Sequence, residues 1–285
     1  MFKQGHCTIV AVKSTSRFTD EVQSKEQIDI NRIFSFLYGA ASYAACLATF
    51  LYLAGFIGNF GVPKSMDSAA DGPWETALMI DLGLLVLFAL QHSVMARPAF
   101  KRVLTCVIPE VIERSTYVLA SSAAMLLLFW QWRPLGGTVW DVQSQLAKLL
   151  LYGGYAFGWV LLLFATFVIN HFDLFGLRQV WRHLFGKSQS DLEFGTPLLY
   201  RVIRHPLYIG WLCIFWSAPV MTVTHLFFAV VTTAYIFVAI QLEERDLIAK
   251  HPEYAAYRQQ VPMIVPGMPR RVAIPPSVRT AAVAK

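Results

Sequence analysis

Long apolar runs separated by polar connections rich in Gly and Pro set the rhythm of this chain. Four of them, 33–57, 76–94, about 115–132 and 149–169, have the length and apolarity of membrane helices. At a rise of about 1.5 Å per residue, each approaches or exceeds the roughly 30 Å thickness of a bilayer's hydrocarbon core. Two shorter runs, 207–221 and 225–240, flank a connection bearing Thr222, Thr224 and His225 and predict a tight helical hairpin. Both sit at the low edge for a full crossing, so the pattern predicts an all-α, polytopic membrane helical bundle of five or six segments with a C-terminal helical hairpin. Gly39, Ala40, Ala41 and Ser42 in the first run, and Gly153, Gly154 and Gly158 in the fourth, predict close helix packing. Trp130 and Trp132 close the third run, where an interfacial aromatic belt is expected.

The polar intervals divide the chain further. Residues 1–32 read as a polar tail, mobile or lying on a surface, 33–194 as the first four membrane helices and their loops, 195–270 as the hairpin and a cap, and 271–285 as a flexible tail. No long apolar core precedes residue 33, so no cleavable signal is expected and the first membrane helix serves as the targeting segment. Composition agrees with a membrane location: 56% of residues are hydrophobic, only 15% are charged, and the mean hydropathy is +0.49.

Charge then orients the bundle. Five Lys or Arg fall in 1–32, four in 95–114, five in 170–206 and seven in 241–285, whereas loops 58–75 and 133–148 hold only Lys64, Arg133 and Lys148. The positive-inside bias places both termini in the cytosol, with the membrane segments between them. The net charge of +6 is distributed among loops, not gathered in one tract, so no nucleic-acid partner is expected; membrane lipid is the expected surround. Cys7, Cys46, Cys106 and Cys213 are dispersed without the spacing of a metal site, and no metal is expected.

Candidate chemistry gathers where the hairpin meets the cytosol. Arg204, His205, Pro206 and Tyr208 open its first arm, and Glu243 and Glu244 close its second, so a chain that goes out and returns brings both lips to one depth. Proline is suited to a first helical turn, whose unpaired N–H groups and positive dipole end favour an anionic group. The glutamates suit a cation, so the pair of lips suits a zwitterion. Beyond them, Pro252 opens a short helix carrying Tyr254 and Tyr257 on one side, and Pro262, Pro266 and Pro269 end it. This segment is either a lid over the mouth or a surface cap that touches no ligand.

The stretches RHPLYIGW (204–211), EERDL (243–247) and HPEYAAYRQQVPMIVP (251–266) together resemble the C-terminal signature of the isoprenylcysteine carboxyl methyltransferase superfamily of membrane enzymes. Upstream, LQHSVMARPAFK (90–101), ERSTYVLASSAAMLLLFWQWRP (113–134) and NHFDLFGLRQVW (170–181) resemble the bacterial methanethiol S-methyltransferases. The resemblance covers roughly residues 33–270. It implies S-adenosyl-L-methionine as cofactor and methyl transfer to a small volatile thiol, yielding dimethyl sulfide and S-adenosylhomocysteine. It also implies a cofactor site of Arg204, His205, Pro206, Tyr208, Gly210, Glu243, Glu244, Tyr254, Tyr257 and Arg258. The glycines of the fourth run follow no strand, so a soluble dinucleotide-type fold is not expected.

Transfer from a sulfonium needs an aligned, deprotonated thiol, and His92 and His171, at the cytosolic ends of the second and fourth helices, are the candidate bases. Asp81, eleven residues before His92, reads as a packing partner. Asn170, Phe172, Phe175, Arg178, Trp211 and Phe215 are candidate walls of a small acceptor pocket, with Asp173 and Arg178 organising the loop. Two other functions share these features: methylation of a prenylcysteine carboxylate or lipid headgroup, and a non-enzymatic scaffold or transporter. The oligomeric state is not encoded in any of these patterns.

Overall fold

The computed structural model describes residues 7–70, 72–188 and 195–267, with side chains from residue 30 onward. The expected tail at 271–285 lies outside the described residues. In chain order come α1 (Cys7–Gly58), α2 (Trp74–Ala96), α3 (Pro98–Leu104), α4 (Glu113–Gln131), β1 (Thr138–Asp141), α5 (Gln145–Ile169), α6 (His171–Leu174), α7 (Leu177–Leu184), α8 (Pro206–Trp216), β2 (Val220–Thr222), α9 (Val223–Lys250) and α10 (Tyr254–Gln260). Among the described residues, five stretches are long and apolar enough to cross a membrane: Ile30–Gly58, Trp74–Ala96, Glu110–Gln131, Gln145–Ile169 and Val223–Lys250. The architecture is therefore that of an all-α, multi-pass membrane protein. The backbone is helical from Cys7 onward, so α1 begins well before its apolar part.

The chain forms two compact units. In one, α1 as far as Phe50 joins Val94–Ala123 and the segment from Phe172 through α7. Gly39 serves the close packing its composition implied, since a Cβ there would lie 2.5 Å from Val180 Cγ2 of α7. Tyr38 Oη and Thr116 Oγ1, 3.0 Å apart, join α1 to α4. Gly176 turns the chain at φ 84°, and a side chain there would meet Ser115 N at 2.9 Å.

The second unit takes Leu51–Ser93, Ala124–His171 and the described residues from 195 onward. Its tightest joint is between α5 and α8, which run antiparallel. A Cβ on Gly158 would lie 2.8 Å from Gly210 O, and one on Gly210 would lie 2.9 Å from Gly158 O and 3.0 Å from Leu162 N. Gly154 repeats the approach at Ser217 Oγ, 2.7 Å away. Each turn back along α5 thus meets a turn forward along α8, and the same register carried one turn further sets Thr166 level with His205. Rings bridge the remaining helices: Phe56–Trp132 (5.9 Å), Trp132–Phe228 (5.8 Å), Phe228–Phe215 (5.2 Å), Phe215–Trp211 (5.5 Å) and Trp211–Trp159 (5.8 Å).

The hairpin is asymmetric. Its first arm, α8, has 11 residues, or about 17 Å of helix, and its second, α9, has 28. The arms therefore do not share the equal lengths that the apolar runs implied. Pro219 lies where α8 would otherwise continue, and the chain goes on as β2, paired antiparallel with β1 through Thr138↔Thr222 and Asp141↔Val220. Thr222 then caps α9 by accepting from His225 N at 3.0 Å, and it also donates to Asp67. The second arm runs on to Lys250 because the next helix-breaking pair is His251-Pro252.

One aromatic falls outside its expected setting. Trp130 is 72% exposed, as a belt residue should be, but Trp132 is fully buried and donates its indole N–H to Met66 O at 3.2 Å. The paired N–H removes the reason for that ring to seek an interface. Asp81 is a packing partner as expected: it is buried, and its Oδ1 accepts from Arg133 N at 2.9 Å.

The α5–α8 joint yields a direct test. Gly158→Ala and Gly210→Ala should each lower stability by about 1–3 kcal/mol, because the added methyl meets backbone that cannot give way. Gly153→Ala, where nothing lies within 4 Å, should be neutral or slightly stabilising. Thermal unfolding of the three variants in detergent checks this, and equal midpoints would contradict it.

Candidate functional site

The two lips of the hairpin meet around one carboxylate. Glu244 on α9 is 1% exposed, and four side chains converge on it. Arg204 Nε lies 2.8 Å and His205 Nε2 3.0 Å from its Oε1, Tyr254 Oη donates to Oε1 at 3.4 Å, and Arg258 Nε lies 3.0 Å from Oε2. The two arginine contacts are charge contacts without an aligned hydrogen bond. Burying a carboxylate this deeply is costly unless charge partners and donors reach it, and these four side chains do.

Local sequence explains how these groups arrive. Pro206 occupies the first helical position of α8, and His205 before it stands outside the helix as its cap, at φ −128° and ψ 61°. The backbone N–H groups of Arg204 and His205 donate to Pro262 O (2.9 Å) and Met263 O (3.1 Å). Arg204 Nη1 donates to Val261 O at 2.9 Å and also to Arg258 O. Segment 261–263 is thereby drawn back onto the start of α8. Beneath α10, Tyr257 Oη donates to Tyr200 O, closing on the short 3₁₀ turn Leu198–Arg201.

Glu243 is different from its neighbour. Its side chain is 46% exposed, it accepts from Tyr208 Oη at 3.0 Å, and His205 Nδ1 lies 4.0 Å away. Arg258 is likewise 44% exposed beyond its contact with Glu244. One anion and one cation therefore face solvent, while Arg204 and His205 are committed within the protein. Burial holds the phenols of Tyr200 and Tyr254 well above the usual tyrosine pKa, aided by Glu243 and Glu244 respectively. Burial also raises Tyr257 to about 12, with Arg204 opposing.

Gly210 is packed against α5 as described above. His171 is buried, stacks on Phe167 at 4.3 Å with planes 9° apart, and lies with Nδ1 2.9 Å from Thr166 Oγ1. Burial lowers its pKa. It follows Asn170, whose backbone reverses at φ 146° and folds the imidazole back along α5 toward the depth of His205. His92 stacks on Phe88 at 5.3 Å. The adjacent Ser93 Oγ lies 2.9 Å from Tyr235 Oη, a residue roughly 13 Å along α9 from Glu244.

The remaining candidates fall into separate groups. Phe172, Phe175 and Arg178 belong to the first unit, where Tyr43 meets both rings at 6.4 and 6.1 Å and Arg178 pairs with Asp173 at 2.9 Å. Trp211 and Phe215 belong to the second unit's ring stack. The sequence reading missed Tyr200, Thr166 and the carbonyls of 261–263. Thr166 had a signal, a hydroxyl one turn before Asn170 in an apolar run; backbone carbonyls have none. Among the described residues no cluster of His, Cys, Asp or Glu could hold a metal.

Together these features define the class: a multi-pass α-helical membrane protein with a charged site where a short helix begins. No family model and no solved structure matches the chain. Among curated proteins, it is 54% identical over 238 residues to a Methanethiol S-methyltransferase of Crocosphaera subtropica, spanning 83% of this chain and 93% of that protein. It is 49% identical over 270 residues to Methanethiol S-methyltransferase 1 of Bradyrhizobium diazoefficiens, spanning 93% and 94%. With the Methanethiol S-methyltransferase of Mycobacterium tuberculosis it shares 47% identity over 238 residues, 83% and 98% of the two chains. The chain belongs to the methanethiol S-methyltransferase family.

The two glutamates should behave oppositely. Glu244→Gln strands two arginines and should cost about 3–5 kcal/mol, whereas Glu243→Gln, on a half-exposed group, should stay within about 1 kcal/mol. Denaturation midpoints of the two variants measure the contrast. Alkali should also destabilise the cap. Because folding raises the phenol pKa values, the stability they contribute is complete below about pH 10 and is lost as pH climbs through the folded values. Tyr254→Phe should show a shallower loss of thermal stability between about pH 10 and 12 than the parent protein.

Proposed function

We propose that the chain is an S-adenosyl-L-methionine-dependent methyltransferase that converts methanethiol to dimethyl sulfide in the bacterial cytoplasmic membrane. The observation that carries this reading is the pair of half-exposed opposite charges, Glu243 and Arg258, mounted on the buried Glu244 contacts. A zwitterionic amino acid moiety fits them, its ammonium at Glu243 beside Tyr208 and its carboxylate at Arg258. Arg204 and His205 are committed to Glu244 and serve to hold the mouth. When bound, the donor supplies a methyl group already activated on a sulfonium.

The protein's own task is then to bind, align and deprotonate the acceptor. His171, neutral through burial and folded back to the level of His205, is suited to take the thiol proton as the S–C bond forms. His92 is the second candidate base. Asn170, Trp211 and Phe215, all in the unit that carries His171, remain proposed walls of the acceptor side. The excess of basic residues in the connections that adjoin the site supports a cytosolic mouth and cytosolic termini.

Membranes holding the protein, given methyl-labelled donor and a panel of methanethiol, longer alkyl thiols, prenylcysteine and phospholipid, should release label as dimethyl sulfide. Label in a methyl ester or a lipid would overturn the proposal. Within this assay, Glu243→Gln and Arg258→Ala should raise KM for the donor. His171→Ala should lower kcat by about 100-fold or more. An unchanged rate in both His171→Ala and His92→Ala would remove the base from the mechanism.

A further inference from the structure

The atoms around His171 specify which of its nitrogens can act. Thr166 Oγ1 lies 2.7 Å from Leu163 O and 2.9 Å from His171 Nδ1. A carbonyl oxygen carries no proton, so a contact of 2.7 Å between two oxygens is attractive only when the hydroxyl hydrogen lies between them. That hydrogen is the only one the Thr166 hydroxyl has. Toward His171 the hydroxyl can therefore only accept, and Nδ1 must carry the proton. The stack on Phe167, with ring planes 9° apart, fixes the plane in which the imidazole lies.

We infer that Thr166 is a positioning residue that holds His171 as its Nδ1–H tautomer, so that Nε2 carries the lone pair that takes the thiol proton. The assignment deepens the proposed function and rests on His171 being the base. In the step itself the S–H bond breaks, its proton passes to Nε2 and its electron pair stays on sulfur. That pair then forms the new S–CH₃ bond as the donor's C–S bond breaks. Burial, which lowers the His171 pKa, favours the neutral ring that a base requires. The arrangement is that of an oriented base, in which one ring nitrogen is anchored so that the other is defined.

The hydroxyl is what matters, so Thr166→Val and Thr166→Ser separate this role from packing. Val keeps the shape and loses the acceptor; Ser keeps the acceptor and loses a methyl. With both variants folded to the same thermal midpoint within a few degrees, Thr166→Val should lower kcat by about 10- to 100-fold with the donor's KM unchanged, and Thr166→Ser should recover most of the loss. Nitrogen-15 spectra of histidine-labelled protein without donor or thiol, with the His171 signals assigned by difference against His171→Asn, give a readout independent of activity. They should show the Nδ1–H tautomer in the parent and Ser proteins and a mixture in the Val protein. Unaltered His171 signals in Thr166→Val would overturn the inference, as would an Nε2–H tautomer in the parent. If His171→Ala stays active, the base assignment fails while the spectra still decide what Thr166 does to the ring.

Discussion

A carboxylate buried in a membrane protein is unstable unless cations reach it, and Glu244 makes this the organising constraint of the C-terminal part of the chain. Its partners come from the residues that open α8 and from α10, while α9 carries the carboxylate itself. None can be moved without stranding a charge. The coil at 261–263 is fixed by the same arrangement, since Arg204 serves both the carboxylate and the carbonyl of Val261. What this rigid centre leaves outward is one anion, Glu243, and one cation, Arg258, and this division into inner and outer charges gives the site its character.

A second constraint acts along the helix axis. The backbone approach of Gly158 to Gly210 leaves no room for sliding, so the depth of α8 is set by α5. The start of α8 consequently lies about a turn above the end of α5, and the reversal at Asn170 returns the chain upward to meet it. His171 thus reaches the level of the charged mouth through two unrelated devices: a fixed helix register and a positive backbone φ at Asn170.

Much of this architecture is readable from residue order. The apolar runs at 33–57 and 149–169 announce helices because nothing else of that length tolerates a bilayer. The pairing of 204–208 with 243–244 follows once a hairpin is inferred. The distinction between the glutamates does not follow, since adjacent identical residues on a helix differ only in direction, and direction depends on what packs against them. Arg204 illustrates the same limit. Its partners are an acid 40 positions away and a carbonyl 57 positions away, and carbonyls leave no trace in a sequence. Trp132 also misleads because its indole N–H is paired by Met66 O, an equally silent backbone atom. The short first arm is equally hard to read, because the partner strand that makes it tolerable leaves no mark in the apolar pattern.

The pairing of β2 with β1 bears on how the chain is assembled. A helix of 11 residues is too short to be inserted as a membrane segment in its own right, and the extended residues after it expose backbone groups that hydrocarbon will not accept. Those groups find partners in β1, which lies between α4 and α5 and leaves the ribosome first. The order of the chain thus suits its assembly, since the strand that receives β2 is already made when the last hairpin appears.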